Sequence, residues 1–122
     1  MAKSKLRGPG VMSARVSRVR MSPRKIRLVA DLIRGKTYSE AVALLRFVNK
    51  RAALILLKAI QSAAANAEEG TDYASDELYI RRICVDGAGS FVRRRPGFRG
   101  WPAMIRKQMS HITVELSPIE LR

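Results

Sequence analysis

The sequence predicts an α+β fold in which a strand, three helices and two further strands follow one another along 122 residues. Apolar residues recur with helical spacing between residues 22 and 70, and they alternate with polar residues on either side of that stretch. A hydrophobic fraction of 47% supplies enough apolar material for one core, and the length fits a single domain.

The first predicted strand runs from Val11 to Met21, where the alternation of apolar and polar residues slips near Ser17-Arg18. Because it carries arginines between its apolar residues, we expect a strand at the edge of the sheet. Residues 1–10 contain Gly8-Pro9-Gly10 and little apolar material, so they are predicted to form a flexible basic arm.

Two helix starts follow. Ser22-Pro23 places an N-cap residue before a proline at the first helical position, and Gly35 is suited to the end of this helix. Thr37 and Glu40 have the spacing of a capping box, which begins a second helix. The predicted buried stripes are Ile26, Val29, Ala30 and Ile33 in the first helix, and Ala41, Leu44, Leu45 and Val48 in the second.

The third predicted helix runs from Lys50 to about Ala67 and has a wide apolar face, which indicates a central helix covered on more than one side. Strands are predicted at Leu78–Val85 and at residues 111–116, where apolar and polar residues alternate.

The segment between these last strands is rich in glycine and proline but bounded by extended chain. At about 3.3 Å per residue it would form an arm on the order of 40 Å long, whereas the radius of gyration of a compact chain of this length is about 14 Å. The arm therefore cannot lie on its own core. We expect a protruding β-hairpin at about residues 80–112, with its tip at about 91–101, followed by a tail at 117–122. Residues 11–116, including the hairpin, are predicted to form one domain. Because an isolated two-stranded ribbon is only marginally stable in water, we expect a partner to hold the arm.

Positive charge is concentrated at two places. The chain has 24 Lys and Arg against 10 Asp and Glu, a net charge of +14. Residues 1–30 hold nine basic side chains and residues 87–114 hold six, with no acidic one in either segment, whereas residues 31–86 hold eight of each sign. Like charges repel within a compact unit. This segregation favours a polyanionic partner, most commonly a phosphate backbone; a solvated basic face is the alternative interpretation.

The basic side chains of these two segments are the candidate nucleic-acid contacts: Arg15, Arg18, Arg20, Arg24, Lys25, Arg27, Arg93, Arg94, Arg95, Arg99, Arg106 and Lys107. The tip interleaves arginine with aromatic residues, and both can stack on unpaired bases; a disordered basic loop is the alternative. Its predicted residues are Arg93, Arg94, Arg95, Pro96, Gly97, Phe98, Arg99, Gly100 and Trp101.

Several classes of protein are excluded on composition. The single cysteine, Cys84, leaves no internal disulfide, and we expect it to be a small buried apolar residue. No apolar run reaches the roughly 18 residues of a membrane span, and no secretory signal begins the chain. His111 is the only histidine and is predicted to serve a structural hydrogen bond. We therefore expect no enzyme, no cofactor, no metal and no small-molecule substrate.

Three stretches resemble a known family. Residues 22–36 are similar to the first-helix signature of the universal large-subunit ribosomal protein L22 family, residues 62–68 resemble the end of its long helix, and residues 110–114 resemble its last strand. The resemblance runs from about Val11 to Leu116, so the sequence is identified as a member of this family, of the bacterial type.

The resemblance implies three helices packed on a small three-stranded antiparallel sheet, with a long protruding β-hairpin. It also implies a structural role in the large ribosomal subunit, through binding of several domains of large-subunit (23S-type) rRNA early in assembly. The globular part would lie near the exit of the polypeptide tunnel, and the hairpin would line the tunnel wall. The implied partners are large-subunit rRNA, neighbouring ribosomal proteins and, at the tip, the nascent polypeptide. A homo-oligomer is not expected, and the implied location is a cytoplasmic ribosome, with an organellar one also open.

Individual tip positions carry over from the family. Arg93 matches a tip arginine, Pro96 the tip proline, Arg99 a basic position that faces the tunnel, and Gly100 the glycine after it. The sequence departs from the family pattern where Val92 replaces a frequent lysine, and where Gly97 and Trp101 replace common arginines. These departures concern contacts with the tunnel wall, since the length of the hairpin is kept.

A DNA-architectural protein with a β-arm for the minor groove is the second hypothesis from the sequence. Such a protein would be expected to dimerise and to bend DNA. An enzyme whose site is completed by a partner chain is a third possibility, but no residue supports it.

Overall fold

Three helices pack against an antiparallel sheet, so the predicted α+β class is confirmed. The computed structural model describes residues 12–119. The predicted basic arm at residues 1–10 and the last three residues of the predicted tail lie outside this range. The strands, in the sheet order β1-β3-β2, are β1 (Ser13–Val19), β2 (Leu78–Pro96) and β3 (Pro102–Pro118), and the helices are α1 (Pro23–Ile33), α2 (Tyr38–Phe47) and α3 (Arg51–Gly70).

The predicted helix boundaries are mostly correct. Ser22 is the N-cap residue of α1, although its side chain makes no capping hydrogen bond, and Gly35 adopts φ +80° just after the helix. At the start of α2 the capping box forms: the Glu40 N–H donates to Thr37 Oγ1 and the Thr37 N–H donates to the Glu40 carboxylate, both at 3.3 Å.

Helix α3 begins one residue later and ends three residues later than the sequence predicts, because the chain continues the helix through two glutamates with good helix propensity. Beyond the predicted end, the Thr71 N–H and hydroxyl both donate to the Ala67 carbonyl, at 2.9 and 2.7 Å, which completes the last turn. The wide apolar face is present, and its buried residues are Ala52, Ala53, Leu56, Ala59, Ile60, Ala63, Ala64 and Ala67. Small alanines let this central helix approach its neighbours closely.

The core lies between the helices and one face of the sheet. The stripe predicted for α1 is buried in full, and Ile112, Val114 and Leu116 of β3 alternate inward as predicted. In α2 only Ala41 and Leu45 are buried, while Leu44 and Val48 are half-buried.

Strand β1 is an edge strand, as predicted, and pairs with β3 from Ser13↔Glu115 to Val19↔Ser110. The phase slip predicted near Ser17-Arg18 is a bulge, in which Arg18 adopts φ +54° and the register shifts between Val16 and Val19. In the part of β3 that precedes Ser110, only β2 lies beside it among the described residues.

The pairing of β2 with β3 extends far past the end of β1. It continues from Gly87↔Ser110, through a bulge next to Gly89 (φ +85°), to Pro96↔Pro102. Two facing prolines, which lack an N–H, end the ladder there. Residues 86–109 are called the hairpin arm below, and the remaining described residues are called the hub. The 11 residues Asp86–Pro96 span about 36 Å when fully extended.

We expect truncation of the buried central helix to test this core. Ile60→Ala removes a fully buried side chain and should lower the free energy of unfolding by about 2–5 kcal/mol. Leu54→Ala, on the same helix but 64% exposed, should change it by less than about 0.5 kcal/mol. Urea denaturation followed by circular dichroism measures both, and equal losses would contradict the described packing.

Candidate nucleic-acid interface

The hairpin arm has no interior of its own. From Asp86 to Met109 every residue is exposed or half-buried. Because side chains alternate along a strand, Arg93 and Arg95 lie on one face of this ribbon with Lys107, which pairs with Phe91. Arg94 lies on the other face with Arg106, which pairs with Val92. The arm is therefore basic on both faces. If it folded back onto the hub, only one face could be covered, and the charge on the other face would remain exposed.

The arm's cations have no counter-charge within the described part of the chain. Arg34, the C-cap residue of α1, pairs with Asp31 at 3.4 Å, whereas no arm cation is paired with a carboxylate between residues 12 and 119. Arg94 is exposed and forms no ion pair with a described carboxylate, which is the arrangement expected of a segment that binds a polyanion.

A basic groove lies between the arm and the hub. Its volume is about 1070 Å³, and it is lined by the connection between β1 and α1, the first two turns of α1, the start of α3 and both strands of the arm. Seven of its lining side chains are basic and none is acidic. These seven, which define the basic groove below, are Arg20, Lys25, Lys50, Arg51, Arg93, Arg106 and Lys107.

Arg20 is held at the groove by the connection between β1 and α1. On one side of it the Arg18 N–H donates to His111 Nδ1 at 3.1 Å, and on the other the buried Ser110 hydroxyl donates to the Met21 carbonyl at 2.6 Å. Both bonds attach this connection to β3 at the level where the arm leaves the hub. His111 thus has the structural hydrogen bond that the sequence predicts.

Phe91 joins the two walls of the groove. The guanidinium carbon of Arg20 lies 5.7 Å from the centre of the Phe91 ring, and that of Arg93 lies 5.3 Å from it. Cation–π contacts of this kind contribute about 0.5–1 kcal/mol at exposed sites. They keep two arginines, one from the hub and one from the arm, close together without any carboxylate between them.

Two of the seven groove cations, Lys50 and Arg51, are not among the contacts predicted from the sequence. They fall in the segment with balanced charge, so counting charges by segment does not reveal them. A signal was present: the pair stands at the start of a helix, where the macrodipole disfavours positive charge. Basic residues placed there without a capping role are candidates for contact with an anion.

The structure divides the twelve predicted contact residues into groups, although all twelve are exposed. Those brought together at the basic groove are Arg20, Lys25, Arg93, Arg106 and Lys107. Arg15, Arg18, Arg24 and Arg27 lie on the hub outside the groove, whereas Arg94, Arg95 and Arg99 lie further along the arm.

Arg27 has a structural bond besides any contact with nucleic acid. Its Nε and Nη2 donate to the Val85 carbonyl at 3.1 and 2.8 Å, and Arg34 Nη1 donates to the Ile83 carbonyl at 3.1 Å. Both carbonyls belong to β2, an edge strand of the sheet. Arg27 of α1 and its C-cap residue Arg34 thus donate to carbonyls of β2 just before the arm begins.

A tight turn closes the tip of the arm. The Gly97 N–H donates to the Trp101 carbonyl at 2.7 Å, and Arg99 (φ +54°) and Gly100 (φ +77°) are both left-handed. Phe98 is 82% exposed and Trp101 75% exposed, with the Arg99 guanidinium 5.2 Å from the Phe98 ring centre. The tip therefore presents two aromatic rings and a cation that its own chain does not cover.

Neither a metal-binding cluster nor a membrane-spanning helix occurs in the described part of the chain. Residues 12–119 contain no group of three His, Cys, Asp or Glu side chains that could hold a metal ion. None of the helices in this range has the length and apolar character that a membrane crossing requires. Cys84 is half-buried, so the prediction that it is buried was wrong; its side chain lies on the face of β2 opposite the core residues Ile83 and Val85.

Fold and surface together define a small basic α+β protein with a protruding hairpin arm, a class typical of nucleic-acid-binding proteins. Residues 14–117 match the family model of ribosomal protein L22p/L17e. The chain is 50% identical over 109 residues to the large ribosomal subunit protein uL22 of Rubrobacter xylanophilus, covering 89% of this chain and 86% of that protein.

Two further relatives have the same name. The uL22 protein of Thermus thermophilus is 49% identical over 98 residues, covering 80% of this chain and 87% of that protein. The uL22 protein of Pelobacter propionicus is 47% identical over 105 residues, covering 86% and 95%. The chain belongs to the ribosomal protein L22p/L17e family, which is structural and non-enzymatic. The resemblance seen in the sequence and the expectation of no enzyme are thereby confirmed.

Two arginines of α1 should differ in their contribution to stability. Arg27→Ala removes both hydrogen bonds to the Val85 carbonyl and should lower the free energy of unfolding by about 1 kcal/mol. Arg24→Ala removes the same charge from an exposed position and should change it by less than about 0.5 kcal/mol. Urea titrations of the two variants decide this, and indistinguishable midpoints would contradict a structural role for Arg27.

The tip turn should be intolerant of a side chain at residue 97. A Cβ atom there would lie 2.5 Å from the Trp101 carbonyl oxygen, so Gly97→Ala must displace the backbone. We expect altered amide chemical shifts across residues 97–101 with an unchanged melting temperature, because the turn is remote from the core. Gly87→Ala, which meets no atom within 4 Å, is the control; shifts at the tip no larger than in the control would contradict the described turn.

Proposed function

We propose that this protein is a structural constituent of the large ribosomal subunit that binds large-subunit rRNA through the hairpin arm and the basic groove. The observation that carries the proposal is the arm itself: a two-stranded ribbon with arginines on both faces, no buried residue and no carboxylate from residues 12–119 paired with its cations. A ribbon of this kind is marginal in water. Surrounding RNA would supply both the counter-charge and the contacts that it lacks.

Phosphate neutralisation is the mechanism. Cations at the arm and at the hub allow RNA segments that would otherwise repel one another to approach from different sides. Since both faces of the arm are basic, it would contact more than one RNA segment, in keeping with a role in early assembly. No base-specific contact is needed for this, although guanidinium groups can also stack on unpaired bases.

The tip fits a surface of mixed chemistry. Phe98, Trp101 and Arg99 are exposed together at the far end of the arm. With the hub near the exit of the polypeptide tunnel and the arm along its wall, these side chains would meet both unpaired bases and the nascent polypeptide. Neighbouring large-subunit proteins would contact the hub. The protein would act as a single copy in a cytoplasmic ribosome.

Removing the arm's central charges should weaken RNA binding in a way that depends on salt. The triple variant Arg93→Ala, Arg94→Ala, Arg95→Ala should reduce the log–log salt slope of binding to a large-subunit rRNA transcript by about 2–3, if each arginine neutralises one phosphate. The melting temperature should stay unchanged because all three side chains are exposed. Filter binding across a salt series measures the slope.

The matched control is the triple change of the same residues to lysine, which keeps the charge and should keep the slope. A wild-type slope in the alanine variant would overturn the proposed function. Competition with duplex DNA at physiological salt tests the alternative of a DNA-architectural protein: preference for the DNA would favour that alternative, and co-sedimentation with large subunits after a moderate salt wash would favour the ribosomal role.

A further inference from the structure

We propose that the basic groove binds one continuous run of RNA backbone, contacted at the same time by Lys50 and Arg51 of the hub and by Arg93 and Lys107 of the arm. This inference rests on the proposed function and adds to it a defined site and two residues that belong to neither of the basic segments. It also assigns the bound RNA a role, which is to fix the angle between arm and hub.

The lining of the groove indicates a polyanion rather than a small molecule. Pockets for small ligands have volumes of about 300–1,000 Å³ and mostly apolar walls with a few polar groups. This groove, at about 1070 Å³, has cations from four different elements and no acidic side chain among its lining residues. Concave surfaces lined by charge of one sign concentrate the opposite charge.

Lys50 and Arg51 have no role within the fold that would explain their charge. Lys50 is the N-cap residue of α3 without a side-chain capping bond, and Arg51 begins the helix. Both are exposed, and neither takes part in an ion pair between described residues. At a helix start the macrodipole makes both charges slightly unfavourable. An anion bound in the groove would attract both charges and so offset their unfavourable interaction with the macrodipole.

The two walls of the groove belong to parts of the molecule that are supported to different degrees. The hub wall is anchored in the core, since Val29 and Ala52 line it and are buried. The arm wall lies on a two-stranded ribbon beyond a bulge, which is a place where a sheet bends. One contact between the walls is the cation–π contact of Arg20 with Phe91, and both of these side chains are exposed. RNA bound to cations of both walls would therefore restrict the bend far more than the protein does by itself.

The salt dependence of binding tests the contribution of the hub wall. In the full chain, Lys50→Ala with Arg51→Ala should lower the salt slope for a large-subunit rRNA transcript by about 1.4–1.8, the value for two phosphates on a single strand or a duplex. The variant should melt at or above the wild-type temperature, because two cations leave a helix start. A lower RNA affinity with an undiminished melting temperature is a result that misfolding cannot produce.

Arg81→Ala with Arg82→Ala is the matched control. These are also adjacent, exposed and from the charge-balanced segment, but they lie outside the groove. Their removal should leave the slope unchanged. An equal loss of slope for both pairs would overturn the inference, because position in the groove would then not matter.

Directed cleavage tests whether one run of backbone fills the groove. In a Cys84→Ser background, Leu28→Cys places a thiol on the hub wall, where the native side chain is 68% exposed, and Gln108→Cys places one on the arm wall. An iron chelate attached to either thiol should cleave the same stretch of nucleotides in the bound transcript. Cleavage at two separate stretches would overturn the claim of a single backbone.

Failure of this inference is distinguishable from failure of the proposed function. If the Lys50/Arg51 pair has no effect on the slope while the arm's triple alanine variant lowers it, RNA binding by the arm stands and the groove is not a site. If the arm variant also keeps the wild-type slope, the proposed function itself is overturned.

Discussion

The antiparallel ladder between β2 and β3 is the constraint on which the rest of the molecule depends. At one end its inward residues, among them Ile83 and Ile112, complete the core. At the other end the same two strands carry arginines that no part of the described chain neutralises. Because the ladder is continuous through the bulge beside Gly89, the stability of the hub is transmitted to a ribbon that could not hold its own shape.

Within the hub, polar bonds hold the strands at the place where the arm begins. β1 ends at Val19, opposite Ser110, and the side chains of Ser110 and His111 bond to the backbone that follows β1. On the other side of β3, Arg27 and Arg34 bond to carbonyls of β2. The point at which the arm emerges is thus fixed from both sides by polar bonds, above a core made of aliphatic residues.

Much of the fold follows from local patterns. The capping box at Thr37, the glycine after α1 and the inward alternation of β3 are all short-range signals, and the structure contains each of them. The phase slip near Arg18 even locates the bulge in β1. The end of α3 was missed because two glutamates and a side-chain bond from Thr71 extend the helix.

The site was harder to predict, since it depends on tertiary proximity. Charge counting finds Arg20 and Arg93 separately, but only the fold brings them onto one phenylalanine ring. Lys50 and Arg51 were missed because acidic residues elsewhere in their segment cancel them numerically, though not spatially. Conversely, Arg27 looks in the sequence like any other surface cation, and its bonds to Val85 appear only once α1 is packed against β2.

The guanidinium groups of Arg27 and Arg34, which donate to carbonyls of β2, have a consequence for the free chain before it meets any partner. An exposed sheet edge offers unpaired carbonyls to other chains and so invites intermolecular strand addition. In this protein the hub portion of that edge is occupied by Arg27, Arg34 and the Lys36 carbonyl, which accepts from Ile80 at 2.8 Å. The hub portion of β2 is thereby removed as a template for aggregation, and repulsion between like-charged arms opposes association of copies of the chain where the edge remains open.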